Sequence, residues 1–195
     1  VVPAVKQLRD IVYTHAFPSP IGQLQTVVDR RGRVLYLGFR SPEKRLSEFE
    51  LEENKYACGE IEYQLAEYFM GSLREFSVEL RLDGTGFQKA VWSRLLKIEY
   101  GATMSYGEVA QKIGRRDSAR AVGNAVAANQ ILILIPCHRV VPAGGGIGCY
   151  ARRSLDIDAG KRIKSQLLEL ESKQVMLNMS MSEQQEGGPQ DVTSS

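Results

Sequence analysis

Metal and disulfide chemistry have little to work with in this sequence. Its 195 residues include three cysteines, Cys58, Cys137 and Cys149, and two histidines, His15 and His138. An odd number of widely spaced thiols suits a reducing compartment better than a disulfide framework, so free thiols are expected. A structural zinc takes about four Cys or His ligands. Neither a CxxC nor an HxxxH spacing occurs, so no metal is expected, and no cofactor is expected either. No apolar run approaches the roughly 18 residues of a membrane span. The opening "VVPAVKQLRD" lacks the apolar centre and small-residue cleavage site of a signal peptide. These absences predict an intracellular protein with no membrane partner. Charge is small as well. The net value is +2, and the last twenty residues carry Glu183, Glu186 and Asp191 with no base, which leaves +5 on the rest. That excess permits a nucleic-acid partner without requiring one.

The apolar content of 43% allows a real core in one sizeable domain or two small ones. Residues 11–39 alternate as "IVYTHAF", "QLQTVV" and "VLYLGF", which predicts a small antiparallel sheet. Ser41-Pro42 reads as a helix start, and Ile61, Leu65, Tyr68 and Phe69 recur at helical spacing up to Gly71. "FSVELRL" returns to strand. The fold class is therefore α+β: an N-terminal sheet with helices over 1–85, a mostly helical unit over 86–175, and a polar, aperiodic tail over 176–195 that is expected to be disordered.

Thr85 with Gln88 and Ser105 with Glu108 form two capping boxes ahead of apolar periodic runs. In "SYGEVAQKIGRRDSARAVGNAVAAN", Gly114 can end one helix and Asp117 can cap the next, which starts near Ser118. So tight a corner fits a helix-turn-helix, and fits a purely structural helical hairpin equally well.

The chemistry concentrates in "ILILIPCHRVV", residues 131–141, where a thiol meets an imidazole after a buried apolar run that reads as a strand. Burial raises a thiol pKa and suppresses reactivity, and a nearby base or cation reverses this. His138 is such a base. On a strand, however, neighbouring side chains point to opposite faces, so the pair can cooperate only if Pro136 bends the chain or a water bridges them. A carboxylate is then needed to orient the histidine, and Glu169 and Glu171 in "KRIKSQLLELE" are candidates.

"IPCHRVV", preceded by "FQKAVWSRLL", "SYGEVA" and "ARAVGNAVAAN" and followed by "GIGCY", resembles the O6-alkylguanine-DNA alkyltransferases, which are direct-reversal DNA repair proteins. The resemblance covers residues 11–171 and is most specific from Phe87 to Tyr150. It implies irreversible, single-turnover transfer of an alkyl group from flipped O6-alkylguanine to Cys137. His138 would take the thiol proton through a water, Glu171 would hold His138, and Asn129 would brace the turn before the cysteine. Arg120 would fill the gap left by the extruded base, and Tyr106 would sit against the phosphate and the base. Backbone groups around Cys137, Val140 and Ala151 would meet the guanine edges. The resemblance also assigns Ser105, Ala119, Arg139 and Lys164 to the substrate- and DNA-binding surface. The implied partner is double-stranded DNA, bound by a monomer in the minor groove with little sequence preference.

The residues agree with this chemistry. Displacement at saturated carbon wants a soft nucleophile, and the product thioether has no carbonyl for water to attack. The small-residue helix "SARAVGNAVAAN" suits close approach to a narrow groove. Three other readings are weaker. An inert damage sensor of this lineage would replace the acceptor cysteine, a helix-turn-helix regulator would carry a polar recognition helix, and a Cys-His hydrolase would need an oxyanion hole. The sequence departs from the family after Tyr150: the usual "YxGGL" reads "YARRSLDIDAGK", with Arg152 and Arg153 in place of paired glycines and about seven extra residues before Lys164. Unpaired arginines are costly to bury, so both are expected to point outward.

Overall fold

In a computed structural model of the chain, residues 9–186 are described. Strands β1 (Asp10–Ser19), β2 (Gly22–Val28) and β3 (Val34–Gly38) form the expected antiparallel meander. A fourth strand, β4 (Phe49–Glu53), adds parallel to β1 and gives the order β3-β2-β1-β4. The sheet is therefore mixed. Ser41-Pro42 starts only a single turn, with the Leu46 amide on the Pro42 carbonyl, because the chain must cross from one sheet edge to the other. Leu46 and Phe49 of this crossing join Val12, Val27, Leu35 and Tyr36 to cover one face of the sheet.

Helix α1 (Lys55–Met70) covers the other face, capped by Asn54 and ended by Gly71 in the left-handed conformation. Its buried Cys58, Ile61, Leu65 and Tyr68 belong to a single core that continues through Val91, Leu95, Val122 and Leu167 of the C-terminal helices. "FSVELRL" is not a regular strand. Leu80 makes one bridge to Val34, and Ile131 makes another to Leu37, so the outer edge of β3 is shared between two short contacts that cover it.

Helix α2 (Gly86–Leu95) and helix α3 (Tyr106–Lys112) both begin at the expected capping boxes, and Gly114 follows α3 at φ +73°. Between α2 and α3, the two-residue strand β5 (Met104–Ser105) pairs parallel with β6 (Val140–Val141). Helix α4 (Ala119–Ala127) has Ser118 at its N-cap without a side-chain cap, so Asp117 does not serve the role expected of it. Trp92 Nε1 donates to the Ala125 carbonyl at 2.9 Å and locks α4 to α2. Helix α5 (Ile157–Glu186) is far longer than expected and runs through Met176, where disorder was predicted; of the expected tail, residues 187–195 lie outside the described region. Among the described residues, no helix is long and apolar enough to cross a membrane.

Candidate active site

The run Ile131–Ile135 is not a strand. It makes tight turns, with Ile133 at φ +70°, and leads into a 3₁₀ turn over Cys137–Arg139. Asn129 shapes this path: its Oδ1 accepts from the Ile131 amide at 2.9 Å, while Nδ2 donates to the Ile135 carbonyl at 3.0 Å and to Cys137 Sγ at 3.1 Å. A turn releases Cys137 and His138 from the opposite-face rule of strands. Cys137 faces a cavity of about 380 Å³, whereas His138 points into the core.

Behind the cysteine, the ionised Glu171 gathers five donors. His138 Nε2 lies 2.8 Å and the Tyr68 hydroxyl 2.8 Å from its Oε1, and the Gly101 amide lies 3.0 Å from Oε2. Arg139 supplies Nε to Oε2 and Nη2 to Oε1, both at 2.9 Å, and its Nη1 donates to the Ile98 carbonyl. Burial alone would raise the Glu171 carboxyl, but the hydrogen bonds from His138 and Arg139 outweigh it and hold the pKa at about 2. Desolvation lowers the His138 pKa against the pull of Glu171, so the ring is neutral at rest. A neutral imidazole that donates from Nε2 carries its lone pair on Nδ1. That atom is buried and has no hydrogen-bond partner among the described residues.

Cys137 itself is protonated at rest. Burial pushes the thiol up, with Asn129 and the Lys164 ammonium working against it. Lys164 is fully buried and donates to the Val140 carbonyl; desolvation brings its pKa down to about 8. Lys164 and Glu171 lie seven residues apart, two turns of α5, which puts them on one face of the helix against residues 137–140.

The cavity is lined by Tyr106 at the start of α3, by Ala119, Arg120 and Gly123 of α4, and by Tyr150, Ala151 and Arg152 on the far wall. Ala151 adopts φ +48°, and its carbonyl accepts the Ser154 and Leu155 amides, making a compact turn. Gly160 of α5 packs against the Tyr150 carbonyl so tightly that a Cβ there would collide with it. Arg152 and Arg153 are both exposed, as expected. They diverge, however: Arg152 borders this cavity and Arg153 a second one. Neither arginine forms an ion pair among the described residues, and the nearby Asp156 carboxylate accepts from the Ala159 amide at the start of α5.

The structure thus brings together Cys137, Tyr106, Arg120, Ala119 and Ala151 around one cavity, with Asn129 bonded to Cys137 Sγ and His138 and Glu171 behind it. Two residues expected on the binding surface are interior instead. Arg139 is buried and committed to Glu171, because a carboxylate under the histidine needs a permanent cation. Lys164 is interior for the reason above. Ser105 is half-buried beside Tyr106, and its hydroxyl caps α3 by accepting from the Glu108 amide. Val140 is also buried, its amide donating to the Cys137 carbonyl and its carbonyl accepting from Lys164, so both of its backbone groups already have partners. Two residues went unassigned in the sequence. Tyr150 lines the cavity, stacks edge-on against His138 at 6.3 Å, and has a buried hydroxyl that lies near the Ile133 backbone but has no partner in hydrogen-bond geometry among the described residues. Tyr68 reaches Glu171 from α1, a separation of 103 residues that no local motif reveals. For Tyr150 the available signal was its place in "GIGCY".

Residues 86–173 match the family model described as 6-O-methylguanine DNA methyltransferase, DNA binding domain. The methylated-DNA–protein-cysteine methyltransferase of Methanosarcina acetivorans is 40% identical over 161 residues, which is 82% of this chain and 98% of that protein. The chain belongs to the methylated-DNA–protein-cysteine methyltransferase family. Its fold agrees with that membership. The crystal structure of Mycobacterium tuberculosis OGT in complex with DNA superposes with a TM-score of 0.74 at 39% identity, covering 84% of this chain and 94% of that one. An O6-methylguanine-DNA methyltransferase from the archaeon Pyrococcus kodakaraensis gives 0.56 at 27% identity, over 82% and 98%. This family member is a methylated-DNA–protein-cysteine methyltransferase with a DNA-binding, DNA-repair role.

Proposed function

We propose that the protein repairs O6-alkylguanine in duplex DNA by moving the alkyl group irreversibly onto Cys137. The observation that carries this reading is the relay from cavity to core: Cys137 Sγ faces the cavity, and His138, held by Glu171, presents an unpartnered Nδ1 lone pair. His138 Nδ1 receives the thiol proton through a water as the guanine enters. The thiolate sulfur then forms a bond to the alkyl carbon while the carbon–O6 bond breaks, and its electron pair stays on the guanine. The Tyr150 hydroxyl, kept protonated by burial, donates to the developing oxyanion, and the proton lost by the thiol finally resides on the guanine. The thioether product is stable, so each molecule reacts once. No cofactor or metal enters this sequence of steps.

The nucleotide reaches Cys137 by flipping out of the duplex, at a cost of a few kcal/mol. Arg120, on the second residue of α4, occupies the gap, and the alanine-rich face of that helix lies in the minor groove of DNA bound by a monomer. Binding is then dominated by phosphates and indifferent to sequence. The reaction belongs inside the cell with the genome, in the nucleus of a eukaryote or otherwise in the cytoplasm. Titrating the protein against a duplex with one O6-methylguanine tests the reading: loss of the lesion should stop at one equivalent per protein molecule, and continued turnover would contradict it.

A further inference from the structure

A second cavity, of about 460 Å³, opens on the other side of the Ala151–Ser154 turn and shares Ala127 and Ala151 with the reactive one. Four of its lining residues are cations: Arg40, Lys44 and Arg45 from the crossing between β3 and β4, and Arg153 from the turn. Glu43 is the single acid in the lining. No ion pair among the described residues involves any of the four cations. The Arg45 guanidinium is half-buried, and its pKa is lowered first by desolvation and next by the charge of Arg153. Like charges held together at a concave site lower the free energy of a bound anion.

The placement is built. The Tyr36 hydroxyl donates to the Arg40 carbonyl at 2.7 Å, pinning the crossing to β3, and Ser154 approaches the same hydroxyl from the turn. The cavity also sits at the C-terminal end of α4, whereas Arg120 sits at the N-terminal end. Nine residues of helix span about 13 Å, and nucleotides on one strand of a duplex rise about 3.4 Å each along the axis. A duplex laid along α4 therefore covers both ends within about four nucleotides.

We propose that this cavity binds a backbone phosphate of the same duplex, so that the N-terminal unit and Arg153 extend the DNA-binding surface past the recognition helix. The inference rests on the reading that α4 holds DNA. Arg153 stands where the family has glycine, so this contact is a property of the chain itself.

The test is the salt dependence of affinity for an undamaged duplex, measured for wild type, Arg153→Gln, Arg40→Gln, Arg45→Gln and Arg45→Lys. Each lost contact should reduce the magnitude of the log-affinity against log-salt slope by about 0.9. Arg45→Lys should retain the slope, which guards against a folding effect at the half-buried position. The rate of alkyl transfer from free O6-benzylguanine should be unchanged in all of them. A duplex cut back at the end nearest the cavity should erase the difference between wild type and variants. Unchanged slopes on the full duplex would overturn the proposal. So would variants that lose affinity for inorganic phosphate alone while keeping the duplex slope, which would mark a small-anion site. Wild-type protein that fails to bind any duplex would instead overturn the underlying reading of α4.

Discussion

His138 Nε2 lies 2.8 Å from Glu171 Oε1, and both side chains are fully inaccessible to solvent. This bond decides the tautomer, and the tautomer decides which nitrogen can act as a base. Because Arg139, Tyr68 and Gly101 share the same carboxylate, its loss strands several buried donors at once. Glu171→Gln should therefore lower stability by about 3–5 kcal/mol. Urea unfolding should show a lower midpoint with an unchanged slope. A loss under about 1 kcal/mol would mean the network contributes little beyond an ordinary hydrogen bond.

Stability should fall with acid in two stages. The folded pKa of His138 lies below its ordinary 6.5, so as pH drops below that value the unfolded chain binds the proton preferentially and the fold loses stability. Glu171, at about 2 against an ordinary 4.5, contributes fully above 4.5, and that contribution is lost as pH falls towards 2. Urea midpoints measured from pH 7 to pH 3 should decline through both windows. In Glu171→Gln the lower stage should flatten, and an unaltered profile in that variant would remove Glu171 as its source.

Arg120→Ala should slow repair of duplex DNA far more than reaction with free O6-benzylguanine, since only the duplex leaves a gap to fill. Kinetics on the two substrates compare these directly. Equal losses on both would make Arg120 part of the cavity wall and leave the gap without an occupant.

Arg152→Gly, which restores the family residue on the reactive side of the wall, should leave reaction with free O6-benzylguanine unchanged or faster, because the exposed side chain borders the cavity without holding Cys137. Slower reaction with the free base would show that Arg152 shapes the pocket from within.

Local signals in the sequence anticipated what local interactions determine. The capping boxes at Thr85 and Ser105, the helix through Ile61 to Phe69 and the meander of β1 to β3 all appear as expected. Elements set by tertiary contacts were not legible. β4 adds parallel to β1 because the chain crosses the sheet, and the apolar run before Cys137 turns because Asn129 claims the Ile131 and Ile135 backbone groups. Cys137, His138, Glu171 and Asn129, which the family motifs pointed to, do come together in the structure. The correct places of Arg139 and Lys164 were not legible, since a charge written in a motif does not say whether it faces DNA or a buried carboxylate.

The most direct test is a mass spectrum of the protein and its Cys137 peptide after incubation with duplex DNA containing O6-methylguanine. The account predicts a gain of one methyl group, located on Cys137, that does not increase with excess substrate, and no gain in Cys137→Ser although that variant still binds the duplex. A methyl group on Cys149 or Cys58 instead, or an unmodified protein alongside repaired DNA, would contradict it.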